Sequence, residues 1–151
     1  MSSRKHISDY FLYSPLINKK TILTSYEAAR QLRETILEDA SAAGFSDTDL
    51  FSIRLAIEEA LTNSIKHGNK LNEDKKLDIS WECSGKELKI IVSDEGEGFD
   101  PGDVSDPTLS ENLDRPYGRG IMLIRSYMDD VSYNSKGNTI IMVKRNSFAG
   151  S

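Results

Sequence analysis

The chain has 151 residues, about the length of one domain, and its 24 acidic and 19 basic residues give a formal charge of −5. This excess of acid argues against a nucleic-acid ligand, which needs a concentrated basic surface. The only cysteine, Cys83, cannot form an internal disulfide, and no apolar run reaches the roughly 18–20 residues that cross a membrane. We therefore expect a cytoplasmic protein with no nucleic-acid or membrane partner.

The first half of the chain predicts one strand and two helices. Residues 16–23 are apolar at both ends with a polar interruption, which is typical of an edge strand. Thr24 and Glu27 then have the spacing of a capping box, which predicts the start of a helix, and Gly44 predicts its end. A second helix is predicted from Ser46 to Gly68, because apolar residues recur at helical spacing over this stretch.

The pattern then changes to a period of two residues. Segments 77–83 and 88–93 alternate between apolar and polar residues on either side of a short turn with a glycine, which predicts a β-hairpin. Residues 100–117 contain three prolines and five acidic residues and show no periodicity. Connections of this length are uncommon without a function, so we expect a lid over a binding site.

A third helix over residues 120–128 and a last hairpin of 131–133 with 139–144 complete the chain. Grouped helices and strands paired as hairpins favour an α+β fold. We expect a two-layer α/β sandwich with a mixed, mostly antiparallel sheet and three main helices on one face. The predicted organisation is an N-terminal segment of residues 1–15 (part of an edge strand or a partner contact), a domain of 16–145 and a flexible tail of 146–151.

Two polar residues lie one turn apart on the second predicted helix. Glu59 and Asn63 are neighbours on one helix face, and they share with Ser52 and Ala56 the side opposite to the apolar stripe. A carboxylate beside an amide oxygen offers a general base and a ligand for a hard cation. The alternative is an ordinary solvated polar face.

Asp94 ends the second strand of the first hairpin and has the same parity as the apolar Val92, so it is predicted to point to the buried side. A buried carboxylate needs hydrogen-bond donors, and an adenine amino group could supply one. Gly96 and Gly98 follow and would let the backbone approach a ligand closely. The alternative is an aspartate that only caps a turn.

Gly118, Arg119 and Gly120 open the third predicted helix. The free amides and partial positive charge of a helix N-terminus favour phosphate, and the guanidinium groups of Arg115 and Arg119 could add to this. The alternative is a flexible hinge before a helix.

The three motifs together resemble the GHKL superfamily of ATP-binding domains in their order, spacing and predicted secondary structure. They are residues 59–63, Asp94-Glu95-Gly96-Glu97-Gly98-Phe99 and Gly118-Arg119-Gly120-Ile121. Residues 56–68 and 120–129 are more specifically similar to the stand-alone anti-sigma-factor serine kinases, and the resemblance covers about residues 20–145. The fold that this resemblance implies is the Bergerat-type ATP-binding fold.

The resemblance also implies roles for individual residues. Glu59 would activate the attacking group, Asn63 would hold Mg²⁺, and Asp94 would receive the adenine amino group. The residues that would bind ATP are Asn63, Asp94, Gly96, Gly98, Phe99, Gly118, Arg119, Gly120 and Ile121. Residues 100–117 would be the ATP lid.

The function implied is that of an anti-sigma factor with protein serine/threonine kinase activity. Such a protein phosphorylates a STAS-type anti-anti-sigma partner, sequesters a sigma factor and works as a homodimer. Two alternatives stay open from the residues alone. The chain could be a non-catalytic module that uses ATP as a binding switch, or the catalytic domain of a histidine-kinase-like system.

Overall fold

The computed structural model describes residues 16–98 and 116–148, which form a sheet covered by helices. The strands are β1 (Leu16–Leu23), β2 (Lys76–Cys83), β3 (Glu87–Asp94), β4 (Asp130–Tyr133) and β5 (Thr139–Arg145). The helices are α1 (Tyr26–Ala42), α2 (Asp47–Asn63) and α3 (Pro116–Tyr127), with a π-helical turn at Ser64–Gly68. The predicted α+β class, the two hairpins and the three helices are confirmed.

The sheet has the strand order β1-β2-β3-β5-β4. All four strand pairings within the described residues are antiparallel, as a mostly antiparallel sheet predicts, and no parallel pairing occurs among these residues. The position of β5 explains this. Strands β3 and β4 run in the same direction, but β5 lies between them and pairs with both.

The hydrophobic core lies between the helices and one face of the sheet. Alternate apolar residues of β2, β3 and β5 point to this face. The fully buried members of the core include Ile36 of α1, Ile57 of α2, Ile124 of α3 and Ile90 of β3. Among the described residues, no helix is both long enough and apolar enough to cross a membrane.

Helix α1 begins one residue later than the capping-box spacing predicts. Its N-cap is Ser25, whose hydroxyl accepts a hydrogen bond from the amide of Ala28. Thr24 is buried, and its hydroxyl donates to the carbonyl of Lys75 instead (2.8 Å), so it is not available as a cap. Gly44 follows the end of the helix with φ of +96°, a conformation that glycine adopts without strain.

Helix α2 starts as predicted, with Ser46 as N-cap accepting from the amide of Asp49. The prediction that Ala56 lies on a polar face was wrong, because its side chain is only 1% exposed. Helix α2 packs against both α1 and α3, so it is buried on more than the one side that faces the sheet. A single apolar stripe in the sequence does not reveal this second contact.

The predicted continuation of α2 to Gly68 is a π-helical turn, and the α-helix itself ends at Asn63. The turn closes with a hydrogen bond from the amide of Asn69 to the carbonyl of Ser64 (2.7 Å). Wider turns of this kind are uncommon and are often found at functional sites.

Helix α3 begins at Pro116, four residues before the predicted start, with proline in the first position that it favours. Gly118, Arg119 and Gly120 therefore lie inside the first two turns of the helix rather than before it. Phe99 and the predicted lid up to residue 115 lie outside the described residues.

The first residues of the predicted flexible tail are held in place. Asn146 is buried, and its side-chain amide donates to the carbonyls of Gly44 and Gly85. The backbone and hydroxyl of Ser147 both donate to the carboxylate of Asp49. Asn146 and Ser147 are thus bound to the domain, at the start of the segment 146–151 that the sequence predicts as a flexible tail, while residues 1–15 and 149–151 lie outside the described part.

Candidate functional site

Two of the predicted ligand residues, Asn63 and Asp94, line the same pocket although they are far apart in the sequence. Asn63 is the last residue of α2, and Asp94 is the last residue of β3. Ile124 of α3 and the turn from Tyr133 to Asn138, which connects β4 to β5, supply other walls. The fold thus brings the end of a helix and the end of a strand together at one edge of the sandwich.

The carboxylate of Asp94 is half-buried and receives hydrogen bonds from two groups of the protein. The amide of Gly96 donates to its Oδ1 (2.8 Å), and the hydroxyl of Ser64 also donates to it. Burial raises the pKa of Asp94, while these donors and the charges of Lys136 and Lys75 act in the opposite direction. A carboxylate has about four acceptor positions, so capacity remains for a donor from a ligand.

The π-helical turn lies directly against Asp94. A Cβ atom at Gly68 would lie 2.3 Å from Asp94 Oδ2, and a Cβ at Gly96 would lie 2.2 Å from the carbonyl oxygen of Gly68. Only glycine fits at these two positions, because the neighbouring atoms are a carboxylate held by hydrogen bonds and a backbone carbonyl. Sequence reasoning noted Gly68 only as the end of a helix and did not find this contact.

The backbone of Asp94 is held from the other side by Asn138. The amide of Asp94 donates to the carbonyl of Asn138 (2.9 Å), and Nδ2 of Asn138 donates to the carbonyl of Asp94 (3.1 Å). Asn134 orders the same turn, since its Oδ1 accepts from three backbone amides. Gly98 has φ of +80° and packs on the carbonyl of Lys136, where a Cβ would be 2.0 Å away. Sequence reasoning missed both asparagines, although an asparagine- and glycine-containing turn was the available signal.

Helix α3 covers the side chain of Asn63. A Cβ atom at Gly120 would lie 2.3 Å from Asn63 Nδ2, so the backbone of α3 lies against this amide. The neighbouring Ile121 is buried (2% exposed), and Gly118 and Arg119 directly precede Gly120 on the same helix.

The pocket between Asn63 and Asp94 has a cavity volume of only about 20 Å³. This space is sufficient for a water molecule but much too small for a purine ring. A purine does not fit between Asn63 and Asp94 as the pocket walls lie in this structure, so we expect α3 or the turn between β4 and β5 to move when a nucleotide binds.

Glu59 lies outside this pocket, in a neighbouring cleft of about 410 Å³ that it lines together with Thr62, Leu123 and Tyr127. Burial is the main cause that raises the pKa of Glu59, and the negative charge of Glu58 adds to it. Glu59 precedes Asn63 by one helical turn, or about 6 Å along the axis. Along the chain Asn63 thus lies between Glu59 and Ser64, the residue whose hydroxyl donates to Asp94.

The donor set at Asn63 is compatible with Mg²⁺ held partly by a substrate. Among the residues that the structure describes, no cluster of three histidine, cysteine or acidic side chains could hold a metal ion. Mg²⁺ commonly keeps several waters and uses one or two protein oxygens together with substrate phosphates. The side-chain oxygen of Asn63 is suitable as such a single protein ligand.

Comparison with known proteins identifies the family and the fold. A family model described as "Histidine kinase-like ATPase domain" matches residues 22–144. The chain belongs to the histidine kinase-like ATPase family. The matched region contains α1–α3, β2–β4, the last two residues of β1 and all of β5 except Arg145, and thus every described residue of the site.

Several relatives in the histidine kinase-like ATPase family carry the name "Serine-protein kinase RsbW". The protein from Staphylococcus epidermidis is 36% identical over 128 residues, covering 80% of each chain. The one from Staphylococcus aureus strain MSSA476 is 34% identical over the same coverage. A solved structure of the RsbU and RsbW domains of Rv1364c from Mycobacterium tuberculosis has a TM-score of 0.59 and 15% identity. It supports the fold, and the match covers 87% of this chain but 32% of that longer chain.

Gly68→Ala is expected to weaken adenine-nucleotide binding at least tenfold, because the added methyl group would displace the Asp94 carboxylate that lies 2.3 Å from its position. The matched control is Gly85→Ala, where the nearest atom would be 3.9 Å away. Calorimetric titration of both variants with ADP measures the effect. Equal ADP affinity of Gly68→Ala and Gly85→Ala would contradict the close packing of the π-helical turn on Asp94.

Proposed function

We propose that this protein is an ATP- and Mg²⁺-dependent protein serine/threonine kinase that acts as an anti-sigma factor. Its substrate is a STAS-type anti-anti-sigma protein, and it sequesters a sigma factor in a partner-switching pathway, as a cytoplasmic homodimer. The observation that carries the proposal is the placement of Asn63 and Asp94 in one pocket with Glu59 one helical turn away. The similarity to relatives named serine-protein kinases supports it.

The adenine end of the site is assigned to Asp94. Its carboxylate, already ordered by Gly96 and Ser64, accepts a hydrogen bond from the amino group of adenine. Guanine has a carbonyl at that position, which would face the carboxylate with no donor. The pocket therefore favours adenine, because guanine would leave the Asp94 carboxylate without a hydrogen-bond donor.

The phosphate end is assigned to Asn63 and the start of α3. The Asn63 side-chain oxygen would hold Mg²⁺, which would supply charge neutralisation on the phosphates. The backbone amides of Gly118 and Arg119 lie in the first turn of α3, where free amides and the helix dipole favour phosphate, and Gly120 follows them against Asn63. The end of α2 therefore supplies the metal ligand, and the start of α3 supplies amide donors to the phosphates.

Glu59 acts as the general base in this reaction. The hydroxyl oxygen of the acceptor serine or threonine attacks the γ-phosphorus, the bond to the β–γ bridging oxygen breaks, and ADP leaves. The proton of the hydroxyl passes to the carboxylate of Glu59. The raised pKa that burial gives this carboxylate makes it a better proton acceptor than an exposed glutamate.

The partner proteins are inferred from the resemblance of residues 56–68 and 120–129 to anti-sigma-factor kinases. The exposed apolar side chains of Tyr26, Phe51 and Leu123 are available for contacts with other proteins. The partners therefore need a direct test.

A single-turnover reaction with labelled ATP and STAS proteins from the same genome tests the proposal. We expect phosphate on a serine or threonine of one STAS protein and none on its alanine variant. Tight ATP binding without transfer to any STAS protein would instead support the non-catalytic switch. An acid-labile phosphohistidine on another protein would support the histidine-kinase alternative.

A further inference from the structure

Asn69 is completely buried (0% exposed) and connects three separate parts of the chain. Its Nδ2 donates to the hydroxyl of Thr24 (2.9 Å), between β1 and α1, and to the carbonyl of Lys76 (3.0 Å), at the start of β2. Its Oδ1 accepts from the amide of Glu95 (2.9 Å), directly after β3. Both amide hydrogens and the carbonyl oxygen are thus used.

The position of Asn69 links it to the adenine end of the site. It follows Gly68, whose backbone packs against the Asp94 carboxylate, and it binds Glu95, which follows Asp94. The carbonyl of Gly68 also lies so close to Gly96 that no side chain fits between them. The backbone at Gly68 and the backbone after Asp94 both pack around the Asp94 carboxylate, and the side chain of Asn69 joins these two segments.

A shift of either segment would move the acceptor oxygens of Asp94. The Asn69–Glu95 hydrogen bond fixes the backbone on the C-terminal side of Asp94, and Asn138 fixes the residue itself. Thr24 supports Asn69 in turn, because its hydroxyl accepts from Asn69 and donates to the carbonyl of Lys75. The result is a chain of hydrogen bonds from the end of β1 to the carboxylate loop.

We propose that Asn69 is a positioning residue for nucleotide specificity, which holds the loop of Asp94 so that its carboxylate selects adenine. The inference rests on the proposed function, in that Asp94 is taken to receive the adenine amino group. Asn69 itself touches neither base nor phosphate, and it acts through the backbone of Glu95 and Gly68.

The test compares Asn69→Ala with a matched variant at the other end of the molecule, Asn146→Ala. Asn146 is also buried, its Nδ2 donates to two carbonyls, and its Oδ1 accepts from the amide of Phe148. Both variants should lose stability in urea titrations, since each leaves buried backbone groups unpaired. Dissociation constants for ADP and inosine diphosphate, which lacks the amino group, are measured at low temperature where the variants are folded.

Asn69→Ala is expected to reduce the preference for ADP over inosine diphosphate by roughly tenfold, the size of one net hydrogen bond. Asn146→Ala should keep the wild-type preference. The proposal is wrong if Asn69→Ala also keeps the preference for ADP, or if both variants lose this preference equally. If the wild type itself shows no preference for ADP, the role of Asp94 is overturned as well. If the wild type prefers ADP and Asn69→Ala does too, only the role of Asn69 is overturned.

A second variant covers the case in which Asn69→Ala does not fold. Thr24→Val has the same shape as threonine but removes the hydroxyl that accepts from Asn69 and donates to Lys75. Its preference for ADP should fall about two- to threefold, because Asn69 keeps its bonds to Lys76 and Glu95. An unchanged preference in Thr24→Val, with its stability lowered, would count against the proposal.

Discussion

Glu59→Gln is expected to slow phosphoryl transfer to the partner protein by about 10²–10⁴-fold, the usual contribution of a general base. Glutamine keeps the size and hydrogen bonding of glutamate but cannot accept the proton of the attacking hydroxyl. The affinity for ATP should change little, because Glu59 lies outside the pocket that Asn63 and Asp94 line. Single-turnover phosphorylation and calorimetric titration of the same variant measure the two effects separately.

Two further variants make this result specific. Glu58→Gln changes the neighbouring carboxylate, which is exposed and lies 3.7 Å from Arg33, and it should leave the transfer rate near the wild-type value. Asn63→Ala should weaken Mg²⁺-dependent ATP binding itself, because it removes the proposed metal ligand. Transfer by Glu59→Gln at the wild-type rate would exclude Glu59 as the base.

The pH dependence of the reaction provides an independent readout of the same residue. Burial raises the pKa of Glu59, so the carboxylate becomes protonated at a higher pH than an exposed glutamate with pKa of about 4.3. The transfer rate of the wild type should therefore fall on acidification with a midpoint above this value. The residual activity of Glu59→Gln should lack this acidic limb.

Asp94→Asn is expected to weaken ATP binding by roughly 5- to 150-fold, which corresponds to about 1–3 kcal/mol for an unsatisfied buried group. The asparagine amide would offer a donor, or a single acceptor, where the carboxylate offers two oxygens to adenine, Ser64 and Gly96. The wild type should also bind ATP more tightly than GTP, and the variant should lose most of this preference. Calorimetric titration with both nucleotides measures the effect.

The control for this variant is Asp78→Asn on β2. Asp78 is exposed and accepts a hydrogen bond from Thr21 (2.6 Å), so the same chemical change is made away from the pocket. ATP affinity should stay at the wild-type value in Asp78→Asn. Equal affinity of the wild type for ATP and GTP would remove the specificity role of Asp94.

Much of the fold could be predicted because the elements carry local signals. Period-two alternation located both strands of the first hairpin and placed Asp94 on the same side as Val92. Ser46 and Gly44 marked the start of α2 and the end of α1 through their capping preferences. Each of these signals depends on residues only a few positions apart.

The features that the sequence did not predict depend on contacts between distant segments. Thr24 lost its expected capping role to a carbonyl 51 positions later in the chain. Ala56 is buried in a helix that packs against both α1 and α3, and Gly68 is required by Asp94, which is distant in sequence. Asn69 and Asn138 also act through contacts with a distant segment, because they hold the loop of Asp94 and belong to none of the three sequence motifs.

The small volume of the pocket has a consequence for the kinetics of nucleotide binding. Because a cavity of about 20 Å³ cannot hold adenine, we expect the walls of the pocket to move apart when a nucleotide binds, and the apparent affinity to be the intrinsic affinity reduced by the fraction of open molecules. Association should then reach a plateau rate at high ATP concentration, set by the opening of the pocket. A partner that holds the pocket open would tighten ATP binding without touching the nucleotide.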